Sequence, residues 1–93
     1  MHAVLIEVDV AGVDREQGIN ALRQQIVPAI KSLSGFQSGT WLTGGPDGKG
    51  LSLTLWDGEE NARAMAERFG PGSSPTASAS VVRCEVREVA ATA

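Results

Sequence analysis

Four short stretches of the chain are predicted to be strands: residues 4–10, 36–43, 51–56 and 81–89. The first, third and fourth alternate between apolar and other residues, and the second is rich in threonine and aromatic residues. In the first, Val4, Ile6, Val8 and Val10 occupy every second position, and β-branched residues with a period of two are typical of a half-buried strand. The glycine-rich turn at 44–50 separates the second stretch from the third, so these two are predicted to form a β-hairpin.

A helical spacing of apolar residues separates the first two strands. These residues are Ile19, Leu22, Ile26, Ile30 and Leu33. Asp14 is the predicted N-cap, with Gln17 three residues later. Because proline removes a backbone donor and clashes with the preceding turn, Pro28 predicts a kink or break near Val27. Residues 34–35, Ser-Gly, are the predicted end of the helix.

A second helix is predicted after the hairpin. Asp57 and Glu60 have the spacing of a capping box, and the residues at 70–71, Gly-Pro, form a stop signal. The apolar stripe of this helix consists of Ala62, Met65, Ala66 and Phe69. Residues 72–80 are small, polar and interrupted by proline, which predicts a mobile loop, and 90–93 are predicted to be a frayed tail.

The resulting order is β-α-β-β-α-β over one domain, residues 1–93. This order predicts a ferredoxin-like α+β fold with an antiparallel four-stranded sheet. Each helix has a single apolar stripe, so both helices are expected to cover the same face of the sheet.

The other face of the sheet, called here the open face, has no helix to cover it. By alternation it is predicted to carry Leu5, Glu7, Asp9, Gln37, Gly39, Trp41, Ser52, Thr54, Trp56, Arg83, Glu85 and Arg87. Two tryptophans exposed there would be costly, so this face is predicted to pair with that of a second copy. The alternative is that Trp41 and Trp56 lie at strand ends under loops, inside the monomer.

Composition removes several classes of function. The net charge of −3 comes from scattered charges with no basic stripe, which argues against nucleic-acid binding. No apolar run is long enough for a membrane helix, and the first seven residues lack the basic start of a secretion signal. One cysteine and one histidine can form neither an internal disulfide nor a usual zinc site, so a cytoplasmic location is the default expectation.

Six residues are candidate ligand contacts: Trp56, Thr54, Ser52, Trp41, Glu7 and Arg83. The tryptophans could form a wall for an aromatic ring or only anchor their strands. The two hydroxyls could orient a ligand hydroxyl. Glu7 and Arg83 could grip a polar group or form an ordinary cross-strand ion pair. Cys84 is predicted to be a small buried hydrophobe and His2 to lie at the surface, so no catalytic set is identified.

Two segments resemble a known superfamily. Residues 27–30 (VPAI) and 33–36 (LSGF) resemble the helix exit of the dimeric α/β-barrel superfamily. Residues 53–62 (LTLWDGEENA) are similar to its passage from a strand into the second helix, within the antibiotic-biosynthesis-monooxygenase-like group. The resemblance implies a homodimer in which two sheets face each other as a barrel. It also implies binding of a small hydrophobic or aromatic molecule without a cofactor.

The chain departs from the pattern of this superfamily at several residues, and these departures narrow the expected function. Haem-degrading relatives carry an asparagine on the first strand and a tryptophan and a histidine on the second helix. This chain has Glu7 and Asp9 on that strand and no histidine after His2, which disfavours haem degradation. The expected function is therefore a homodimeric small-molecule-binding protein resembling cofactor-independent monooxygenases of aromatic or polyphenolic compounds. The alternative is a non-enzymatic stress-related or accessory dimeric module.

Overall fold

A computed structural model describes residues 1–10, 12, 14–43, 45, 47–73 and 79–93. The strands are β1 (His2–Asp9), β2 (Phe36–Leu42), β3 (Lys49–Trp56) and β4 (Ser80–Glu88). The helices are α1 (Arg15–Ala21), α2 (Val27–Lys31) and α3 (Glu59–Arg68). A π-helical segment, Leu22–Ile26, joins α1 to α2, and these three pieces form one helical region over residues 15–31.

The four strands form one antiparallel sheet in the order β2-β3-β1-β4. β1 lies between β3 and β4 and pairs with both along its whole length. The helical region and α3 complete the predicted β-α-β-β-α-β order, so the ferredoxin-like α+β prediction is confirmed. Among the described residues, no helix is both long and apolar enough to cross a membrane.

The first helical region begins and breaks where the sequence predicts. Oδ2 of Asp14 accepts a hydrogen bond from the backbone N–H of Gln17 at 3.1 Å, which confirms the N-cap. The predicted break near Val27 takes the form of a change in helix type: the N–H of Val27 donates to the carbonyl oxygen of Leu22, five residues back. Pro28 then lies in the first turn of α2, inside the continuous helical region, where it has no N–H to continue the backbone hydrogen bonding of the preceding segment.

The start of α3 differs from the prediction. Its N-cap is Gly58, with no side-chain cap, so the capping box of Asp57 and Glu60 is wrong. Asp57 instead ties the helix to the preceding turn. Its N–H donates to the carbonyl of Gly35 at 2.9 Å, and its Oδ1 accepts from Nδ2 of Asn61 at 2.8 Å.

The core lies between the sheet and the helices. Its fully buried members are Val4, Ile6, Ile30, Trp56, Ala62, Met65 and Val81. Trp56 has no exposed surface, and its ring meets the ring of Phe36 edge-on, with centroids 5.6 Å apart. An aromatic pair of this geometry contributes about 1 kcal/mol beyond the burial of its area.

The predicted open face is wrong for β3. Cross-strand partners point to the same side of a sheet, and β3 pairs Trp56 with His2, Thr54 with Val4 and Ser52 with Ile6. Val4 and Ile6 face the helices, so the polar and aromatic residues of β3 face them too. The leucines of β3 lie on the open face instead: Leu51, Leu53 and Leu55.

The prediction of which residues lie on the open face is also wrong for two residues of β2. Trp41 lies opposite Ser52 and Gly39 lies opposite Thr54, which places both on the helix side. Alternation alone assigned the apolar leucines of β3 to the core. The register turns the larger Trp56 inward, where the helices enclose it completely.

An irregularity in the pairing with β1 changes the predicted pattern at the start of β4. Glu7 pairs with Arg83 and Val8 pairs with Val81, so Val82 is an extra residue between them. Val81 is therefore 2% exposed, whereas Val82 is 43% exposed. Cys84, opposite Ile6, faces the helices as predicted.

Part of the predicted mobile loop, residues 74–78, lies outside the described residues. The two residues before this segment, Gly72 and Ser73, are hydrogen-bonded to the beginning of β4. The N–H of Gly72 donates to the carbonyl of Val81, and the N–H of Val81 donates to the carbonyl of Ser73, both at 2.8 Å.

Candidate functional site

A cavity of about 370 Å³ lies between the first helical region and one end of the sheet. This end, called here the loop end, is where β1 and β2 finish and β3 and β4 begin. Ile6, Val8 and Val10 form its floor on the sheet side. Leu22 and Ile26 form the wall on the helix side, and Met65 and Phe69 contribute from α3 and its end. The volume is within the range of roughly 300–1,000 Å³ that small-molecule sites occupy.

The cavity results from a taper in side-chain size along β3. From the far end to the loop end, the residues of β3 that face the helices are Trp56, Thr54, Ser52 and Gly50. Trp56 fills the space under the helices at one end. At the other end Gly50 has no side chain. The space between this part of β3 and the helices is therefore left unfilled, whereas protein interiors are normally close-packed.

The first helical region spans this gap without closing it. Of its apolar stripe only Ile30 is fully buried, at 3% exposure, while Ile19, Leu22 and Ile26 are half-buried. Leu22 and Ile26 are the first and last residues of the π-helical segment, and both line the cavity. Single π-helical turns inside α-helices are frequent at functional sites.

The structure separates the six candidate residues into three groups. Trp41 and Ser52 line the cavity. Thr54 and Trp56 lie on the same face but in the filled half of the interior, where both are completely buried. Glu7 and Arg83 lie on the open face, on the other side of the sheet.

Trp41 lies over a glycine. A Cβ atom on Gly39 would collide with Cη2 and Cζ3 of the Trp41 ring, and it would also press against Cγ2 of Thr54. The indole therefore leans along β2 across Gly39 and stands at the border between the filled half and the cavity. This position gives the cavity one aromatic wall, a surface on which a flat ring can stack.

Few polar groups line the cavity. Among the described lining residues, Asp14 and Arg15 carry the charges, and Ser52 and Thr43 carry hydroxyls. Asp14 is engaged in capping α1, and Arg15 is the exposed first residue of that helix. The charges therefore lie near the loop end, and the inner part of the cavity is apolar except for the hydroxyl of Ser52, which lies opposite Ile6.

The polar residues of the open face interact among themselves. Glu7 and Arg83 are cross-strand neighbours, as predicted, but the ion pair of Arg83 is with Glu85, at 3.3 Å. Arg87 approaches Glu85 more closely, at 2.7 Å. Its hydrogen bond and charge lower the pKa of the Glu85 carboxyl, with a smaller contribution from the charge of Arg83.

Cys84 and His2 lie away from the cavity. Sγ of Cys84 is 3.9 Å from the carbonyl oxygen of Ala66, and burial raises the pKa of this thiol, with Glu85 adding to the effect. His2 is a strand residue whose side chain is 20% exposed, with Nε2 3.4 Å from Oε2 of Glu59. In the part of the chain that the structure describes, no three metal-binding side chains come together.

Sequence reasoning assigned most of the cavity walls to the core. Ile19, Leu22 and Ile26 have the spacing of a buried stripe, and the spacing does not show how far the opposite surface lies. The decrease in size from Trp56 to Gly50 was the available signal, but it becomes meaningful only when the register turns these residues toward the helices.

No protein-family model matches this chain, and a search of curated proteins finds no significant match.

Proposed function

We propose that this protein binds a small hydrophobic or aromatic molecule in the cavity at the loop end of the sheet. The observation that carries the proposal is the taper of β3, which leaves an apolar space of about 370 Å³ beside Trp41. Burying apolar ligand surface there would yield roughly 25 cal/mol per Å² before the costs of association. Ser52 would supply a hydroxyl to orient a polar group of the ligand.

Binding is favoured over catalysis by the residues at hand. The ionisable side chains among the described lining residues are Asp14 and Arg15, and Asp14 already caps a helix. The thiol of Cys84 is not among the lining residues, and its raised pKa keeps it protonated at neutral pH. A cytoplasmic location is part of the proposal, supported by this unpaired cysteine.

A cofactor-independent oxygenase is the second candidate, because Trp41 offers a stacking surface for a reduced aromatic substrate. Oxygen uptake with a panel of quinols and polyphenols tests it against a boiled control. Turnover above that control supports the oxygenase, and its absence across the panel leaves binding alone.

Pairing of two copies through the open face is also part of the proposal. Leu42 and Leu53 are 55% and 46% exposed there, beside the half-buried Leu51 and Leu55. Exposed leucines this close together are unusual on a monomer. Arg83, Glu85 and Arg87 lie on the same face on β4, beyond β1, and carry both signs of charge, which suits a two-fold interface where each charge can meet its opposite.

Filling the cavity tests the binding proposal. Ser52→Leu places a large side chain into the cavity, and Ser34→Leu makes the same substitution at an exposed residue that does not line it. We expect naphthol and decanol each to bind the unmodified protein and Ser34→Leu with equal affinity in isothermal titration calorimetry. Ser52→Leu should bind at least about tenfold more weakly, since the ligand must displace the new side chain.

Circular dichroism checks that both variants remain folded. Equal affinities of Ser52→Leu and Ser34→Leu would contradict the proposal, as would a failure of every probe to bind the unmodified protein. Native mass spectrometry of the freshly purified protein adds a second readout, because it shows a co-purified ligand and the number of copies in the same measurement.

A further inference from the structure

The charged groups of the cavity are confined to one end. From Ile6 to Val10 the floor spans about 13 Å at roughly 3.3 Å per residue. Ile30 and Met65, both buried, lie among the apolar lining residues away from that end, and Ser52, opposite Ile6, contributes one hydroxyl there. Arg15 and Thr43 lie at the loop end. A ligand that fills the cavity would therefore meet mostly apolar walls along its body and charged groups at one end only.

The two charges at the loop end are not equally available. Oδ2 of Asp14 accepts a hydrogen bond from the N–H of Gln17, and the backbone carbonyl of Asp14 accepts one from the N–H of Gly18. These two bonds fix Asp14 at the start of α1. Arg15 makes no ion pair or side-chain hydrogen bond with any described residue. In contrast, Arg63, Arg83 and Arg87 all pair with glutamates. The guanidinium of Arg15 is thus the group at this end that can take a new partner.

We propose that the ligand of this cavity is an amphipathic anion: an apolar body that lies along Ile6, Val8 and Trp41, and one carboxylate held by Arg15. The inference rests on the proposed binding function and specifies its ligand class. A guanidinium presents paired N–H donors that match the two oxygens of a carboxylate. The exposure of Arg15 and the nearby charge of Asp14 limit the gain, so the carboxylate strengthens binding by about tenfold rather than by several orders of magnitude.

Three probes share a ten-carbon chain and differ in their polar head group. Comparing them separates the contribution of the head group to the affinity from that of the chain. Decanoate, decanol and decylamine, all below their micelle-forming concentrations, are titrated at pH 7.5 against the unmodified protein, Arg15→Gln and Arg23→Gln. Arg23 is an exposed arginine of the same helical region that does not line the cavity, so Arg23→Gln is the matched control. Isothermal titration calorimetry reports the affinities.

We expect decanoate to bind the unmodified protein and Arg23→Gln about tenfold more tightly than decanol, with decylamine the weakest. Arg15→Gln should bring decanoate to the affinity of decanol and leave decanol unchanged. Salt should weaken decanoate binding alone, since only that complex contains the charge pair.

One set of results would overturn only the carboxylate proposal, and another would overturn the proposed binding function as well. Equal affinities of decanoate and decanol in the unmodified protein, or a preference for decanoate that survives Arg15→Gln, would remove the carboxylate and leave the cavity as a binding site. Failure of decanoate and decanol alike to bind the unmodified protein would remove the proposed function and this inference with it.

Discussion

Nε1 of Trp56 donates a hydrogen bond of 2.9 Å to Oγ1 of Thr54, and both side chains are completely buried. The same hydroxyl lies 3.5 Å from the carbonyl oxygen of Val4 on the neighbouring strand. Thr54 thus gives the largest core side chain its polar partner and links that side chain to β1. The filled half of the interior depends on this pair, and the cavity begins where the pair ends.

Thr54→Val should destabilise the fold by about 1–3 kcal/mol, because the buried N–H of Trp56 loses its acceptor while the shape of the site is kept. Thr92→Val removes an exposed hydroxyl from the segment after β4 and should change stability by less than about 0.5 kcal/mol. Urea unfolding of both variants measures the difference. Equal midpoints would mean that the hydrogen bond contributes nothing to stability.

Gly35→Ala should be strongly destabilising. Gly35 has φ +82°, and a Cβ there would collide with the carboxylate of Asp57 and the amide of Asn61. The left-handed backbone alone costs about 1–2 kcal/mol for alanine, and displacement of the Asp57–Asn61 hydrogen bond adds to it. Gly58→Ala, where a Cβ would meet open space, is the matched control in thermal unfolding. A smaller loss for Gly35→Ala than for Gly58→Ala would contradict this account.

Leu53→Glu tests pairing through the open face. Leu53 is 46% exposed in the single chain, so the monomer should tolerate the change, while an apolar interface would have to bury the new carboxylate. We expect a dimer for the unmodified protein in sedimentation equilibrium and a monomer for Leu53→Glu. Ala64→Glu adds the same charge to an exposed position of α3 and should leave the dimer intact. A monomeric unmodified protein would end the pairing proposal.

The stability of the protein should fall as the pH drops below the ordinary carboxyl value of 4.5, with Glu85 contributing. Its folded-state pKa is lowered, chiefly by Arg87, so its stabilising effect is complete above the unfolded-state pKa and is lost as the pH falls through the folded-state pKa. Arg87→Gln should make the fall in stability below pH 4.5 shallower. Arg68→Gln, which alters an arginine with no ion pair among the described residues, should keep the original slope in acid titration followed by circular dichroism.

Cys84 should react slowly with disulfide reagents in the folded protein. Burial raises the pKa of its thiol, so the reactive thiolate is scarcer at pH 8 than in the unfolded chain. Timed reaction with a chromogenic disulfide in buffer and in urea measures both rates. A folded-state rate equal to the rate in urea would show that the thiol is as accessible as in a free peptide.

Local patterns predicted the order of the elements but not the orientation of every strand. The alternation of β1 is clear because its valines and isoleucine alternate with Leu5, Glu7 and Asp9, two of which are charged. In β3, leucines alternate with Ser52, Thr54 and Trp56, so both faces contain large apolar groups and the pattern alone does not choose between them. The choice depends on pairing with β1, which places Thr54 opposite Val4.

The candidate site was predicted only in part for the same reason. Trp41 and Ser52 were named as ligand contacts on the wrong face of the sheet, yet both line a cavity on the other face. The π-helical segment could be anticipated only as a break near Val27. A proline signals that helical hydrogen bonding changes, but the tertiary packing determines which wider or tighter turn replaces it.

The position of β1 between β3 and β4 affects how the chain can fold during synthesis. β1 leaves the ribosome before β2, β3 and β4, and it can pair with β3 as soon as Trp56 has emerged. Its other edge stays without a neighbour until β4 has been made, more than twenty residues later. During that interval the unsatisfied backbone groups of β1 form an edge to which another nascent chain could add a strand. Translation speed between α3 and β4 should therefore influence how much of this protein aggregates in the cell.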